Sequence, residues 1–168
     1  MSEPISVREW MVYFREATSE VSRSALKFED LPKNEPRGKG AKTGPPAVDN
    51  APRPGSFISL ISNQTSLRLG ITATLEGCRT LARSLLGLHP TQPVTDREVG
   101  DAVSELMNII AGRVKTRVSE RDDSIQLGLP LFVEGRVQET GSMERQAADA
   151  QLGPVSCTLL VYRSKRAA

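Results

Sequence analysis

Residues 101–112 read Asp101-Ala-Val-Ser-Glu-Leu-Met-Asn-Ile-Ile-Ala-Gly112, and this segment carries more structural information than any other in the chain. On a helix of about 3.6 residues per turn, Asp101, Glu105 and Asn108 share one narrow stripe. Apolar residues fall on the opposite side, and they are Val99, Val103, Leu106, Ile110 and Val114. The segment therefore predicts an amphipathic helix that packs on a core and presents its polar stripe to solvent. Gly112 continues the stripe, and its missing side chain would let another molecule approach closely.

Thr95 and Glu98 have the spacing of a capping box, which predicts that this helix begins there and continues to about Ser119. Glu105 and Asn108 are then held side by side on the solvent face, as a carboxylate and a carboxamide three residues apart. This arrangement is a plausible reactive surface, although it has neither a nucleophile nor a metal cluster. On spacing alone, two polar residues on a solvated helix face are an ordinary observation, so a functional role needs further support.

Hydrophobic periodicity and capping signals predict two further helices, at residues 6–27 and 74–87. Apolar runs between turn signals predict six strands. They are expected at residues 57–62, 66–72, 124–129, 131–138, 147–152 and 155–162. Helices and strands alternate early in the chain and strands cluster late. This order favours an α/β (α+β) two-layer sandwich, with a mostly antiparallel sheet and the helices packed on one face.

The chain is predicted to divide into three regions. Residues 1–30 form the N-terminal helix that packs on the domain, residues 31–55 a Pro/Gly-rich flexible linker, and residues 56–164 the domain itself. Within the linker, residues 38–44 superficially resemble a phosphate loop, but no strand precedes them and Ala41 precedes Lys42. Its basic residues have no aromatic stacking partners, which argues against a nucleic-acid partner. They are Lys33, Arg37, Lys39, Lys42 and Arg53.

Composition narrows the function classes. At 168 residues the chain is long enough for one ordinary core, and its net charge of +2 does not require a nucleic-acid partner. No apolar run approaches the roughly 20 residues needed to span a bilayer. The N-terminus lacks the layout of a secretory signal, so we expect a cytoplasmic protein. Cys78 and Cys157 lie far apart in apolar contexts, which favours buried reduced thiols over a disulfide or metal ligands.

Four segments of the sequence together resemble the CheX branch of the CheC/CheX/FliY chemotaxis phosphatases. They are Gly77-Cys-Arg-Thr-Leu-Ala-Arg-Ser-Leu-Leu-Gly87, the segment 101–112, Leu129-Pro130 and Glu134-Gly135. The family signature is an acidic or serine residue, Glu four positions on and Asn three further, which Asp101, Glu105 and Asn108 match. A proline follows in the family after about twenty-two residues, and here 21 residues separate Asn108 from Pro130.

The resemblance covers about Phe57 to Tyr162 and has two notable features. Only one Glu-x-x-Asn site is found, as in CheX, whereas CheC-type members have two in tandem halves. The proline-rich linker replaces the compact connection expected after the first helix, so any strand expected there is missing or degenerate.

The resemblance implies a phosphatase that hydrolyses the aspartyl phosphate of a CheY-type response regulator. Glu105 and Asn108 are then the catalytic residues, with Asn108 positioning the attacking water and Glu105 docking a lysine of the partner. Asp101, Gly112 and Pro130 are expected to support the site or bind the partner. The magnesium ion would belong to the partner's receiver domain, so we expect no cofactor and no metal site in this chain.

The resemblance also implies a homodimer joined through its sheets. Residues 155–162 are strongly apolar, so leaving them as an exposed sheet edge would invite aggregation, and we expect a dimer that pairs or covers such edges. Two other function classes stay open. One is a catalytically inactive CheX-like adaptor that binds a receiver domain. The other is a structural part of a flagellar switch, as in FliY-type proteins, although no second domain of that kind is found.

Overall fold

The structure, a computed structural model, describes residues 3–26, 53–135 and 140–164. Three helices and six strands occur within them. In chain order these are α1 (Val7–Ser24), β1 (Gly55–Ile61), β2 (Ser66–Thr72), α2 (Leu75–Leu86), α3 (Asp96–Val118), β3 (Gln126–Leu127), β4 (Leu131–Val133), β5 (Met143–Leu152) and β6 (Val155–Ser164). Most of the predicted linker, residues 31–52, lies outside the described residues, as does the predicted end of the first helix at Lys27.

All six strands form one antiparallel sheet in the order β3-β1-β2-β6-β5, and β4 pairs with β1 beside β3. β1 and β2 pair along their whole length, from Gly55 opposite Thr72 to Ile61 opposite Ser66. β6 lies between β2 and β5. The final strand is therefore not a sheet edge, because β5 of the same chain covers it. The prediction that a second copy is needed to cover the final strand was wrong.

The three helices pack on one face of the sheet, which confirms the predicted two-layer arrangement. α1 lies against β5 and β6, whereas α3 lies against β1 and also contacts α1 and α2. The core between the layers contains side chains that are at most 1% exposed, including those of Trp10, Phe14, Leu60, Leu69 and Ile110. Burying large apolar side chains stabilises the fold by about 1.5–3 kcal/mol each, and here it holds α3 flat on the sheet.

Two predicted strands are much shorter in the structure. β3 contains only two residues, and β4 ends at Val133, while residues 136–138 of the predicted strand lie outside the described residues. Pro130 separates the two strands because it has no backbone N–H to donate to β1. Before Pro130 the chain is still hydrogen-bonded to β1, because the Gly128 N–H donates to the Ser59 carbonyl at 2.8 Å.

The last hairpin is longer than predicted. β5 begins at Met143 rather than at residue 147, because its pairing with β6 continues from Leu152 opposite Val155 to Met143 opposite Ser164. Three of the four added residues, Glu144, Arg145 and Gln146, are polar, and all four are half-buried or exposed, as suits the edge strand of a sheet. Their polarity weakened the strand pattern in the sequence.

Both cysteines are free and buried, as predicted. Burial raises the pKa of the Cys78 thiol to about 11 and that of Cys157 to about 12. Thiols with such pKa values are almost wholly protonated near neutral pH and hence poor nucleophiles. Among the described residues, no helix is both long and apolar enough to cross a membrane.

Candidate functional site

The candidate site lies on α3, whose start is fixed by its own sequence. The Thr95 hydroxyl accepts a hydrogen bond from the Glu98 N–H at 3.2 Å, and the Glu98 carboxylate accepts one from the Thr95 N–H at 2.7 Å. These bonds close the predicted capping box. The bond from the Thr95 N–H is the main reason that the pKa of Glu98 is held below its ordinary value.

The helix is continuous across the candidate residues, as predicted. Leu106 and Ile110 are at most 1% exposed, while Glu105 and Asn108 lie on the solvent side. The buried residues of α3 follow the predicted apolar stripe, with Val99, Val103 and Val114 completing it. The two candidate side chains therefore stand on a helix whose opposite face is fixed in the core.

The side chains of Glu105 and Asn108 make no hydrogen bond or ion pair within the described part of the chain. Their neighbour Asp101 does have a partner, because its carboxylate lies 3.8 Å from the Arg97 guanidinium. Both members of that pair are more than three-quarters exposed, so the pair contributes little to stability. The carboxylate of Glu105 and the carboxamide of Asn108 are thus available to another molecule.

Gly112 continues this surface and leaves it open. A Cβ atom placed on Gly112 would meet nothing within 4 Å, so a side chain there would project into free space. No packing requirement within the described residues explains a glycine at this helical position, where alanine would favour the helix by up to about 1 kcal/mol. The absence of a side chain at Gly112 leaves open space on the helix surface beside Asn108.

Pro130 lies at the sheet edge beside α3, between β3 and β4. The contact that joins this edge to the helix is made by Phe132, whose ring would lie 3.3 Å from a Cβ atom on Gly100. The Ser104 and Ser56 hydroxyls also meet at 3.4 Å, between α3 and β1. Thus Asp101, Glu105, Asn108 and Gly112 form one surface, and Pro130 belongs to the neighbouring sheet edge.

Sequence reasoning missed Gly100 and Phe132 as residues that position the site. Gly100 removes the side chain that would push Phe132 of β4 away from the helix. A glycine in the interior of an otherwise regular helix was the available signal, since it weakens the helix unless close packing requires it.

The end of α3 and the turn that follows it are tied to α1 by three ion pairs. The Glu20 carboxylate lies 2.6 Å from Arg117 and 3.5 Å from Arg113. Just beyond α3, Arg121 donates to Glu9 at 2.8 Å. The hydrogen bond from Arg121, helped by hydrogen bonds from Ser6, lowers the pKa of Glu9 to about 2. The helix bearing the candidate site is therefore clamped to the first helix.

The surroundings of Glu105 and Asn108 indicate what kind of ligand this surface can bind. Among the described residues, no group of three or more His, Cys, Asp or Glu side chains has the arrangement of a metal site. An open cavity of about 520 Å³ lies between α1 and the β5–β6 hairpin, but none of its lining residues belongs to α3. The candidate residues instead lie on an exposed helix face, which suits a macromolecular partner better than an enclosed small substrate.

Comparison with known proteins identifies relatives of this fold. A family profile described as chemotaxis phosphatase CheX matches residues 56–148. No sequence among the curated proteins matches the chain.

Three solved structures are similar over nearly the whole chain. CheX from Desulfovibrio desulfuricans is 17% identical with a TM-score of 0.68, and the match covers 93% of this chain and 99% of that one. CheX from Vibrio vulnificus is 20% identical with a TM-score of 0.61, covering 91% and 97%. A chain of the CheX–CheY–BeF3–Mg complex from Borrelia burgdorferi is 19% identical with a TM-score of 0.65, covering 96% and 99%.

These structures share the fold of the chain, and the family profile covers more than half of its sequence. The matched region contains all of α3 and the sheet edge beside it. The chain belongs to the CheX family of chemotaxis phosphatases.

Proposed function

We propose that this protein accelerates hydrolysis of the aspartyl phosphate on a CheY-type response regulator. The observation that carries the proposal is the side chain of Asn108, which is exposed, has no partner in the described chain and stands beside Glu105 on a rigid helix. Family membership supports the reaction class, and the open helix face supports a protein substrate rather than a small molecule.

Hydrolysis of an acyl phosphate needs a water molecule in line with the scissile bond and little covalent help. A carboxamide both donates and accepts hydrogen bonds, so Asn108 can hold a water molecule and aim its lone pair at phosphorus. It cannot act as a base near neutral pH, and a loose transition state does not require one. Asn108 therefore contributes position, and the reacting aspartyl phosphate is supplied by the partner.

Glu105 has a different proposed role. Its carboxylate lies one helical turn from Asn108 and is not neutralised by a cation of the described chain. It is suited to a charge-assisted hydrogen bond with a lysine of the receiver domain, which would fix the phosphoryl group opposite Asn108. Asp101, Gly112 and Pro130 frame this docking surface. The magnesium ion of the reaction is proposed to belong to the receiver.

The Borrelia burgdorferi structure is a complex of CheX with CheY, BeF3 and magnesium, and it supports a receiver-domain partner for the present chain. Such a partner supports a cytoplasmic location. A catalytically inactive adaptor would bind the same partner without accelerating its dephosphorylation.

We also propose that the protein forms a homodimer. This proposal rests on apolar side chains near β1 and β4 and not on the final strand. On the sheet face away from the helices, Phe57, Leu160 and Tyr162 form a second apolar cluster. Leu131 is paired with Phe57 and is 66% exposed, and Ile61 on the same strand as Phe57 is 55% exposed. Apolar side chains grouped beside a sheet edge favour contact with a second copy.

The proposal is tested by following the decay of phosphorylated CheY-type regulators from the same organism, with and without this protein. Substoichiometric protein should shorten the lifetime of at least one phosphorylated regulator and turn over repeatedly. Binding of a regulator without any change in its decay would instead support the adaptor, and neither binding nor acceleration would reject both.

A further inference from the structure

We propose that Lys115 is a second docking residue of the site, which binds an acidic group of the receiver domain while Glu105 binds a basic one. This inference rests on the function proposed above and extends it to the orientation of the partner. It concerns a residue seven positions beyond Asn108, on the part of α3 that the sequence signature does not reach.

Lys115 lies at one border of the polar face of α3, and Glu105 lies at the other. At about 100° per residue, Lys115 is roughly 20° from Asn108 and roughly 80° from Glu105 around the helix axis, so Asn108 stands between the two charges. Gly112 lies between Asn108 and Lys115 and places no side chain between them. Lys115 is half-buried, as expected of a lysine whose stem lies along the protein while its ammonium group reaches solvent.

Between residues 101 and 117 of α3, every charged side chain except one anion and one cation has an ion-pair partner within the described chain. Arg97 and Asp101 neutralise each other at the N-terminal end of the face. Arg113 and Arg117 point toward α1, where both are paired with Glu20. Glu105 and Lys115 have no ion pair within residues 3–26, 53–135 and 140–164, so they remain available to a partner.

These two charges give the site a direction. Along the helix axis, Lys115 lies ten residues, or about 15 Å, beyond Glu105. Asn108 lies between them, about 4.5 Å beyond Glu105 along the same axis. A partner that brings its phosphoryl group to Asn108 is held best when it presents a cation near the N-terminal end and an anion near the C-terminal end. The reversed orientation brings like charges together and is disfavoured, so the pair selects one docking pose.

The test compares Lys115→Glu and Lys115→Gln with the wild-type protein. Two quantities are measured: the Kd for a magnesium-bound receiver domain carrying beryllofluoride as a stable phosphoryl mimic, and kcat for decay of the phosphorylated receiver. We expect Lys115→Glu to raise both Kd and KM by about tenfold and Lys115→Gln by about threefold, with kcat at saturation within about twofold of wild type. Added salt should weaken binding by the wild type more than by either variant.

The matched control is Arg8→Glu, which makes the same change of charge at an exposed residue of α1 that has no ion pair among the described residues. This control should leave Kd unchanged, and thermal unfolding checks that all the variants fold. A wild type that accelerates decay while Lys115→Glu keeps its Kd would overturn this inference alone. A wild type that neither binds nor acts on any receiver would overturn the proposed function and this inference with it.

Discussion

Asn108 places one neutral carboxamide at the centre of the proposed reaction. If this group aims the attacking water, Asn108→Ala should reduce kcat for regulator dephosphorylation by about a hundredfold, because a mispositioned water loses most of the advantage of proximity. Binding of the beryllofluoride-loaded receiver should remain within about threefold of wild type. Since the side chain is exposed, the free energy of unfolding should change by no more than about 0.5 kcal/mol.

Asn63→Ala is the matched control for that experiment, because it removes an exposed carboxamide from the turn between β1 and β2. It should dephosphorylate the regulator at the wild-type rate. Full activity in Asn108→Ala would exclude the water-positioning mechanism and favour a site elsewhere on the chain.

Removal of the Glu105 carboxylate is expected to change mainly the KM, whereas removal of the Asn108 carboxamide is expected to change mainly kcat. Glu105→Ala should raise the KM for the phosphorylated regulator by about fivefold, because it deletes one charged contact in a partly solvated interface. A smaller fall in kcat should accompany this change if the lost contact also loosens the partner's alignment. The measurement is initial rate against regulator concentration, with Glu16→Ala on α1 as an exposed carboxylate control. An unchanged KM would remove Glu105 from the docking surface.

Exposure of the candidate side chains was predictable from residue spacing, whereas the contacts that hold their helix in place were not. The 3.6-residue period alone assigned Glu105 and Asn108 to the solvent side and Leu106 to the core. The contact of Gly100 with Phe132 joins a helix to a strand residue 32 positions later, and no local pattern specifies which strand lies there.

Among the elements, the clamp between α1 and the end of α3 makes stability depend on pH. The pKa of Glu9 is lowered to about 2 from its ordinary value of 4.5, mainly by the hydrogen bond from Arg121. The Glu9 carboxylate therefore binds protons less readily in the folded than in the unfolded chain. Its contribution to stability is complete above pH 4.5 and is lost as pH falls toward 2.

The corresponding variant is Glu9→Gln. It should unfold more easily than wild type at pH 7, and the difference should shrink below pH 4.5 and nearly disappear near pH 2. Urea unfolding at several pH values measures this difference, with Glu16→Gln on the same helix as the control. A difference that stays constant from pH 7 to pH 2 would mean that Glu9 acts through packing and helix capping rather than through its charge.

Element type was more predictable than element extent. The sequence signals at residues 6 and 95 correctly located the starts of two helices. Each start is a capping box, formed by Ser6 with Glu9 and by Thr95 with Glu98, so its hydrogen bonds lie within four residues of sequence. The ends of β3 and β5 depend on which strand lies alongside, and such pairing is decided by the whole sheet. This is why β3 is shorter and β5 longer than the sequence predicted.

At the scale of the whole molecule, the sheet has two unequal faces. All three helices of the described chain pack on one face, and the other carries the small cluster of Phe57, Leu160 and Tyr162. The apolar character of β6, read from the sequence as a sign of an exposed edge, is explained by its central place between β2 and β5. Sequence periodicity identifies strands that are buried on both sides but does not state which chain buries them.

The assembly can be tested through Leu131, which is 66% exposed on the strand paired with β1. If a second copy covers this region, the wild type should have the mass of a dimer in light scattering at micromolar concentration. Leu131→Asp should shift it toward the monomer, because burying an unpaired carboxylate in an apolar contact is unfavourable. The folded monomer should tolerate the change, since the side chain is mostly solvated there.

Leu86→Asp, at an exposed apolar residue on α2, should leave the mass unchanged. A monomeric wild type would exclude the homodimer, whereas a dimer insensitive to Leu131→Asp would move the interface to another part of the surface.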